Sequence, residues 1–131
     1  MLCLGAKTLD SSQFTYTVLP DWSDYERVHA GRRNLRIHLI AVPLFALAFP
    51  AVFILLARAE FLSAITSLLV VVGSMAAQAS GHSKEAIAPE PFKGLLDFLR
   101  RWFSEQYFKF PLFVFTGRWW RQYQAAGGRL R

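Results

Sequence analysis

Three histidines form the part of the sequence best suited to chemistry. His38 begins one long apolar stretch, His82 ends another, and His29 lies shortly before the first. Imidazole nitrogens are common ligands of iron, zinc, nickel and manganese, and two histidines with one carboxylate form the facial site of non-haem iron oxygenases. We therefore interpret the three histidines as candidate catalytic and metal-binding residues, with Glu85 as a further candidate metal ligand. The alternative is that each histidine only hydrogen-bonds lipid or backbone groups.

Carboxamide and carboxylate side chains lie at helical spacing from these histidines. Glu85 follows His82 by three residues, so the two share a face if the helix continues that far. Gln78 lies one turn before His82, and Asn34 lies one turn before His38. Side chains of this kind orient metal-bound imidazole rings by hydrogen bonding. The sequence predicts this orienting role for Asn34 and Gln78.

The positions of His29 and His38 impose a condition on the backbone between them. They are nine residues apart, which on a continuous helix with about 100° per residue places them on opposite sides. Both can face one site only if the helix breaks, and Gly31 is the candidate residue for that break. Without a break, at most one of the two histidines belongs to the site.

Two apolar stretches must position these side chains. Residues 37–57 and 61–83 contain no charged residue, and each exceeds the roughly 18 residues needed to span a membrane as a helix. The connector, residues 58–60, is long enough only for a tight turn. We therefore expect a two-span transmembrane helical hairpin, whose open end brings His38 and His82 to the same side of the membrane. Polar residues at such a position indicate a functional site.

The distribution of charge supports a membrane protein more strongly than the composition does. The chain has 131 residues, is 53% hydrophobic and carries a net charge of +6. Between Ile37 and Ser83 the charged residues are Arg58 and Glu60, and basic residues flank both outer ends. Cytoplasmic loops are enriched in Lys and Arg, so both termini are predicted to be cytoplasmic. The membrane would be the inner membrane in a bacterium or the endoplasmic reticulum in a eukaryote.

The basic flanks are best explained by anionic lipid headgroups, and no nucleic-acid partner is expected. We treat residues 1–131 as a single membrane domain. An irregular arm is predicted over 1–22. A cytoplasmic helix is predicted over 24–36, because Ser23 and Glu26 have the spacing of a capping box.

The C-terminal third is predicted to lie along the membrane surface. Residues 92–110 have a helical period, with an apolar stripe opposite a charged face that includes Glu105. This pattern is typical of an interfacial amphipathic helix. Trp102 and Phe103 should face apolar surroundings, and Pro111 should end the helix. Residues 111–131 are predicted to form an aromatic interfacial tail. The expected fold class is thus an all-α membrane protein, a hairpin with cytoplasmic flanking helices and a C-terminal interfacial helix.

The histidine pattern resembles a known family. The string His29-x4-Asn34-x3-His38-x4-Pro43-Leu44 is similar to the first signature of the Mpo-like family, small membrane proteins named for a yeast enzyme that oxidises 2-hydroxy fatty acids. Gly81-His82 and Glu85-x3-Pro89 match its second signature in part, so the resemblance covers roughly residues 25–91. Glu85 comes one residue earlier than in the family. Ala41 replaces a usual glycine, and family members usually have more than two apolar segments.

The resemblance implies an iron(II)-dependent dioxygenase that uses molecular oxygen to shorten a 2-hydroxy fatty acid by one carbon. A membrane lipid or fatty acid would then be the substrate, and Arg33 and Arg36 are candidates to pair with its carboxylate. The alternative function is a non-catalytic accessory subunit, packed on a larger membrane complex or on copies of itself. The 12 Phe, four Trp and four Tyr residues favour that alternative equally well. Bound iron in the purified protein would discriminate between the two.

Overall fold

The computed structural model describes residues 22–128. All regular secondary structure in this range is helical. No strand occurs in this range, so the predicted all-α class is confirmed. The predicted arm lies outside the described residues except for Trp22, which begins the first helix. The helices are α1 (Trp22–Val28), α2 (Arg32–Ala57), α3 (Phe61–His82), α4 (Leu95–Ser104), α5 (Phe110–Phe115) and α6 (Arg118–Gly128), with a π-helical turn at Glu105–Lys109 between α4 and α5.

Helices α2 and α3 are both long and apolar enough to cross a membrane. They lie side by side, since Arg33 near the start of α2 contacts Ser80 near the end of α3. Residues 58–60 connect them in a tight turn, in which Ala59 adopts a φ of 57°. Large apolar side chains on both helices remain exposed, for example Leu47 at 74% and Leu62 at 79%. A soluble protein rarely exposes apolar surface on this scale, so these helices indicate a membrane protein.

The chain breaks between α1 and α2. The predicted helix over 24–36 is therefore two helices, because α1 ends at Val28 and α2 begins at Arg32, five residues before the predicted start of the first span. Gly31 is the N-cap of α2 and has extended backbone angles of −89° and 134°. Its N–H donates to both carboxylate oxygens of Glu85, each at 3.0 Å. This contact satisfies a backbone donor that no intrahelical carbonyl can reach and places negative charge near the N-terminus of α2.

The C-terminal helices pack back along α2, from its middle to the end that carries the histidines. The Trp102 ring of α4 lies 4.8 Å from the Phe45 ring and 5.5 Å from the Phe49 ring, measured between centroids. Farther along, Trp119 of α6 donates from Nε1 to the Leu35 carbonyl at 3.1 Å. The core beside the histidines consists of apolar residues from three helices, α1, α2 and α5: Tyr25, Leu35, Val42, Phe110 and Phe113.

Pro111 does not end the helical segment as the sequence suggested. It lies in the first turn of α5, where its missing N–H costs no hydrogen bond. The preceding turn widens instead into a π-helix, in which the Phe110 N–H donates to the Glu105 carbonyl. A π-turn changes the direction of the side chains that follow it, and such turns are frequent at functional sites. The tail predicted over 111–131 is accordingly helical over most of its described part.

Candidate metal centre

The structure brings His29, His38 and His82 together. Their ring centroids form a nearly equilateral triangle, with separations of 4.8 Å, 4.7 Å and 4.8 Å. One potential ligand nitrogen from each ring lies within 4.8 Å of the other two. The three rings come from three separate segments, which are the turn after α1, the first part of α2 and the last residue of α3. Convergence therefore depends on the tertiary fold.

Backbone carbonyls fix the orientation of two of the rings. His29 Nδ1 lies 2.9 Å from the Tyr25 carbonyl oxygen, and His38 Nδ1 lies 3.1 Å from the Asn34 carbonyl oxygen. A carbonyl oxygen can only accept a hydrogen bond, so each Nδ1 must carry the proton and donate it. The lone pair of each ring is then on Nε2. This is the arrangement by which proteins prepare a histidine as a metal ligand.

The two Nε2 atoms have no hydrogen-bond partner among the described residues. Both are fully buried, since His29 is 2% exposed and His38 is 0% exposed. Leaving a buried polar atom unsatisfied costs about 1–3 kcal/mol, and native structures rarely tolerate two such atoms side by side. A bound cation would satisfy both lone pairs at once. The orphaned nitrogens are therefore the strongest sign that this cluster holds a metal ion.

Asn34 connects the histidines in the way the sequence suggested. Its backbone carbonyl accepts from His38, and its side-chain Nδ2 lies 3.5 Å from Nδ1 of His82. The same Nδ2 donates to the carbonyl of Val28 at 3.4 Å. Gly81 makes this placement possible, because a Cβ at that position would lie 2.3 Å from Oδ1 of Asn34.

The hydrogen bonds of Gln78 and Glu85 within the described residues go to partners other than the histidine rings. Gln78 pairs with Gln106 of the π-turn through two hydrogen bonds of 3.3 Å and 2.8 Å, and both amides are buried. Both oxygens of Glu85 accept from the N–H of Gly31 at the start of α2. Glu85 thus stabilises the chain break that admits His29.

A different carboxylate, which the sequence interpretation placed on a solvent-facing surface, lies next to the histidines. Glu105 Oε1 is 3.8 Å from His29 Nε2 and accepts a hydrogen bond from the Tyr25 hydroxyl. The Tyr25 ring also stacks on the His29 ring, with centroids 4.2 Å apart. Glu105 follows Trp102 by three residues, and the Trp102 ring packs on Phe45, so Glu105 lies close to the inward face of this segment. That spacing is the sequence signal that could have indicated its position.

Burial controls the protonation of this part of the site. It lowers the pKa of His29 well below the ordinary value, and the neighbouring His38 and His82 lower it further. Burial raises the pKa of Glu105 to about 7. It also raises the pKa of Tyr25 well above the usual value, with Glu105 as the next cause. The imidazole of His29 is therefore neutral at physiological pH, which is the form that binds a metal.

The arginines proposed for a substrate carboxylate lie at the surface near this end of the helix pair. Arg33 donates from Nη2 to Ser80 Oγ at 3.3 Å, and Arg36 is exposed on α2. Their role toward a substrate stays a prediction.

The three histidines fit a first-row metal ion after a small contraction. Nitrogens bound tetrahedrally at about 2.0–2.1 Å to one ion lie about 3.3–3.4 Å apart, against the 4.8 Å limit observed. Closing that gap needs ring movements below about 1 Å. Three protein ligands also leave a position open for another molecule, as in catalytic metal sites.

Comparisons with protein-family models, curated proteins and solved structures gave no match, so the function must be inferred from this geometry and the resemblance.

Proposed function

We propose that this protein is a membrane-embedded, metal-dependent lipid oxygenase, and specifically an iron(II) dioxygenase of 2-hydroxy fatty acids. The observation that carries the proposal is the convergence of His29, His38 and His82, with two buried Nε2 atoms that lack a partner in residues 22–128. The same three residues carry the resemblance to the Mpo-like family. The geometry and the resemblance therefore support the same site.

In this proposal α2 and α3 span the membrane as a hairpin. Their exposed apolar side chains support contact with lipid, and the basic residues at both outer ends support cytoplasmic termini. The membrane is the bacterial inner membrane or the endoplasmic reticulum. The α4 helix exposes Leu95 and Leu96 toward lipid at 74% and 81%. Its Trp102 packs on Phe45 and Phe49 within α2, so the end of α4 lies deeper than the interface plane predicted for it. The histidines then lie at the depth of the cytoplasmic headgroups.

The residues around the proposed ion have separate roles. His29, His38 and His82 hold the ion through a nitrogen each, and the carbonyls of Tyr25 and Asn34 keep two of the rings aligned. Iron(II) at such a centre supplies one-electron chemistry with molecular oxygen, which oxidation of an unactivated acid requires. The Phe110 ring, 5.7 Å from His38, closes the apolar side and excludes water.

A fatty acid in the cytoplasmic leaflet would present its polar head at the same depth as the histidines. Arg33 and Arg36 are on the first turns of α2, near this depth, and either can pair with the acid's carboxylate. Such a pairing would hold the carbon next to the carboxylate toward the metal. The substrate's tail would remain in the bilayer, so no enclosed tunnel is needed.

The test is metal analysis and activity of the purified chain in detergent. The wild type should retain iron(II) and consume oxygen with a 2-hydroxy fatty acid. His38→Ala should lose both while retaining helical content, and Thr66→Ala, an exposed change on α3, should lose neither. Full metal content and activity in His38→Ala would refute the proposal.

The accessory-subunit function is favoured by a different observation. An apolar groove of about 400 Å³ runs between α2 and α3, lined by small residues that include Ala41, Gly73, Ser74 and Ala77. Small residues allow a further helix to approach closely. A purified chain that holds no metal and oxidises no lipid would favour this function.

A further inference from the structure

We propose that Glu105 is the carboxylate ligand that completes the metal centre, so that the site consists of three histidines and one glutamate. This inference rests on the proposed function, because it concerns the same ion. It assigns a ligand role to a residue that the sequence interpretation left on a charged surface. It also replaces Glu85, which the structure holds against Gly31.

Glu105 lies beside a ligand nitrogen. Its Oε1 is 3.8 Å from His29 Nε2, one of the two buried nitrogens without a partner in the described part of the chain. Neighbouring ligands of one first-row ion lie about 2.9–3.4 Å apart, so an inward shift of about 0.5 Å would bring the carboxylate into that range. The other two histidines are farther from the carboxylate, and the glutamate side chain must rotate inward as the rings contract.

A carboxylate would offset the charge of the ion. Three neutral imidazoles bring no negative charge, and a divalent cation in a buried site is costly unless an anion compensates it. Nearby carboxylates are engaged elsewhere: Glu85 accepts from Gly31, and Glu26 pairs with Arg118 at 3.0 Å. Glu105 accepts from the Tyr25 hydroxyl and is the carboxylate that lies 3.8 Å from a ligand nitrogen, His29 Nε2. A carboxylate oxygen beside imidazole nitrogens also favours iron or manganese over the softer metals that prefer thiolate ligands.

Contacts with α1 on one side and α3 on the other hold Glu105 near the proposed ion. The Tyr25 hydroxyl donates to Oε1, while the Tyr25 ring stacks on His29. The next residue, Gln106, is anchored to Gln78 of α3 by the buried amide pair. These contacts fix the π-turn against α1 and α3 beside the Glu105 carboxylate. The fixed position accounts for the irregular turn.

The test is a Co(II) titration of the full chain in detergent after removal of metal by chelation, because Co(II) absorbs visible light according to its ligands. Glu105→Gln should lower Co(II) affinity by more than about 100-fold, beyond the range of a residue that only orients a ligand, and should change the visible spectrum. Tyr25→Phe should lower the affinity by about 10-fold without changing the spectrum. Asp97→Asn, which neutralises a carboxylate of α4 that pairs with Arg101, is the matched control and should leave both unchanged.

Wild-type affinity, or a wild-type spectrum, in a helical and monodisperse Glu105→Gln protein overturns the ligand role of Glu105 and leaves the three-histidine centre intact. If the wild-type chain binds no Co(II), the centre and the proposed function both fail, so the two failures are distinguishable. Should Glu105→Gln not fold, Glu105→Asp keeps the charge and shortens the reach. It should bind Co(II) more weakly than the wild type with a shifted spectrum, and an unchanged spectrum contradicts the assignment.

Discussion

The rings of His29 and His38 lie 4.8 Å apart, although a continuous helix would point them in opposite directions. The break at Gly31 reverses that relationship, and Glu85 holds the break from a position 54 residues later in the chain. A long-range contact between a carboxylate and one backbone N–H thus decides whether the site has two histidines or three.

Removing this contact should therefore affect both stability and metal binding. Glu85→Ala leaves the Gly31 N–H without its acceptor and removes negative charge from the start of α2. We expect a loss of about 0.5–2 kcal/mol in the free energy of unfolding, the usual effect of losing a helix cap. Denaturant unfolding in detergent, followed by circular dichroism, measures it. Glu85→Gln keeps an acceptor oxygen and should lose less, and equal losses in the two variants would contradict the capping role.

Gly81 should tolerate no side chain. Gly81→Ala places a Cβ 2.3 Å from Asn34 Oδ1, which must push Asn34 away from His82. We expect metal affinity to fall by about 10–100-fold, as for other residues that orient ligands. Gly73→Ala is the matched control on the same helix, because nothing lies within 4 Å of its Cβ position. That variant should bind metal normally and gain about 0.5–1 kcal/mol in stability. Equal metal affinity in the two variants would count against the Asn34 contact.

The Gln78–Gln106 pair should behave as a unit. Gln78→Leu leaves the buried amide of Gln106 without a partner, which costs about 1–3 kcal/mol. The double change to leucine removes both amides, so its cost should be smaller than the sum of the single changes. A double-mutant cycle on the free energy of unfolding measures this coupling. Strict additivity would show that the two hydrogen bonds do not form.

The topology can be tested by labelling from outside the cell. In a Cys3→Ser background, Ala59→Cys should react with a membrane-impermeant maleimide and Gly128→Cys should not. The reason is the basic residues at both outer ends of the two helices, which favour the cytoplasmic side. Labelling at Gly128 with protection at Ala59 would invert the proposed orientation.

Local patterns in the sequence were enough to predict the all-helical class, two helices long and apolar enough to span a membrane, and candidate site residues in His29, His38 and His82. Each of these depends on composition or spacing within one segment. Even the condition on Gly31 followed from helix geometry alone, since nine residues cannot keep two side chains on one face.

Only the tertiary structure determines what the carboxylates of Glu105 and Glu85 contact. The helical period assigns Glu105 to the charged face of the predicted interfacial helix, whereas in the fold its carboxylate lies 3.8 Å from His29 Nε2. The same limit applies to Glu85, whose partner is a backbone N–H that no side-chain pattern can reveal. Local periodicity predicts which face of a regular helix a residue occupies. It cannot predict where packing against a distant segment, here Gln106 against Gln78, makes a different backbone geometry the more stable one.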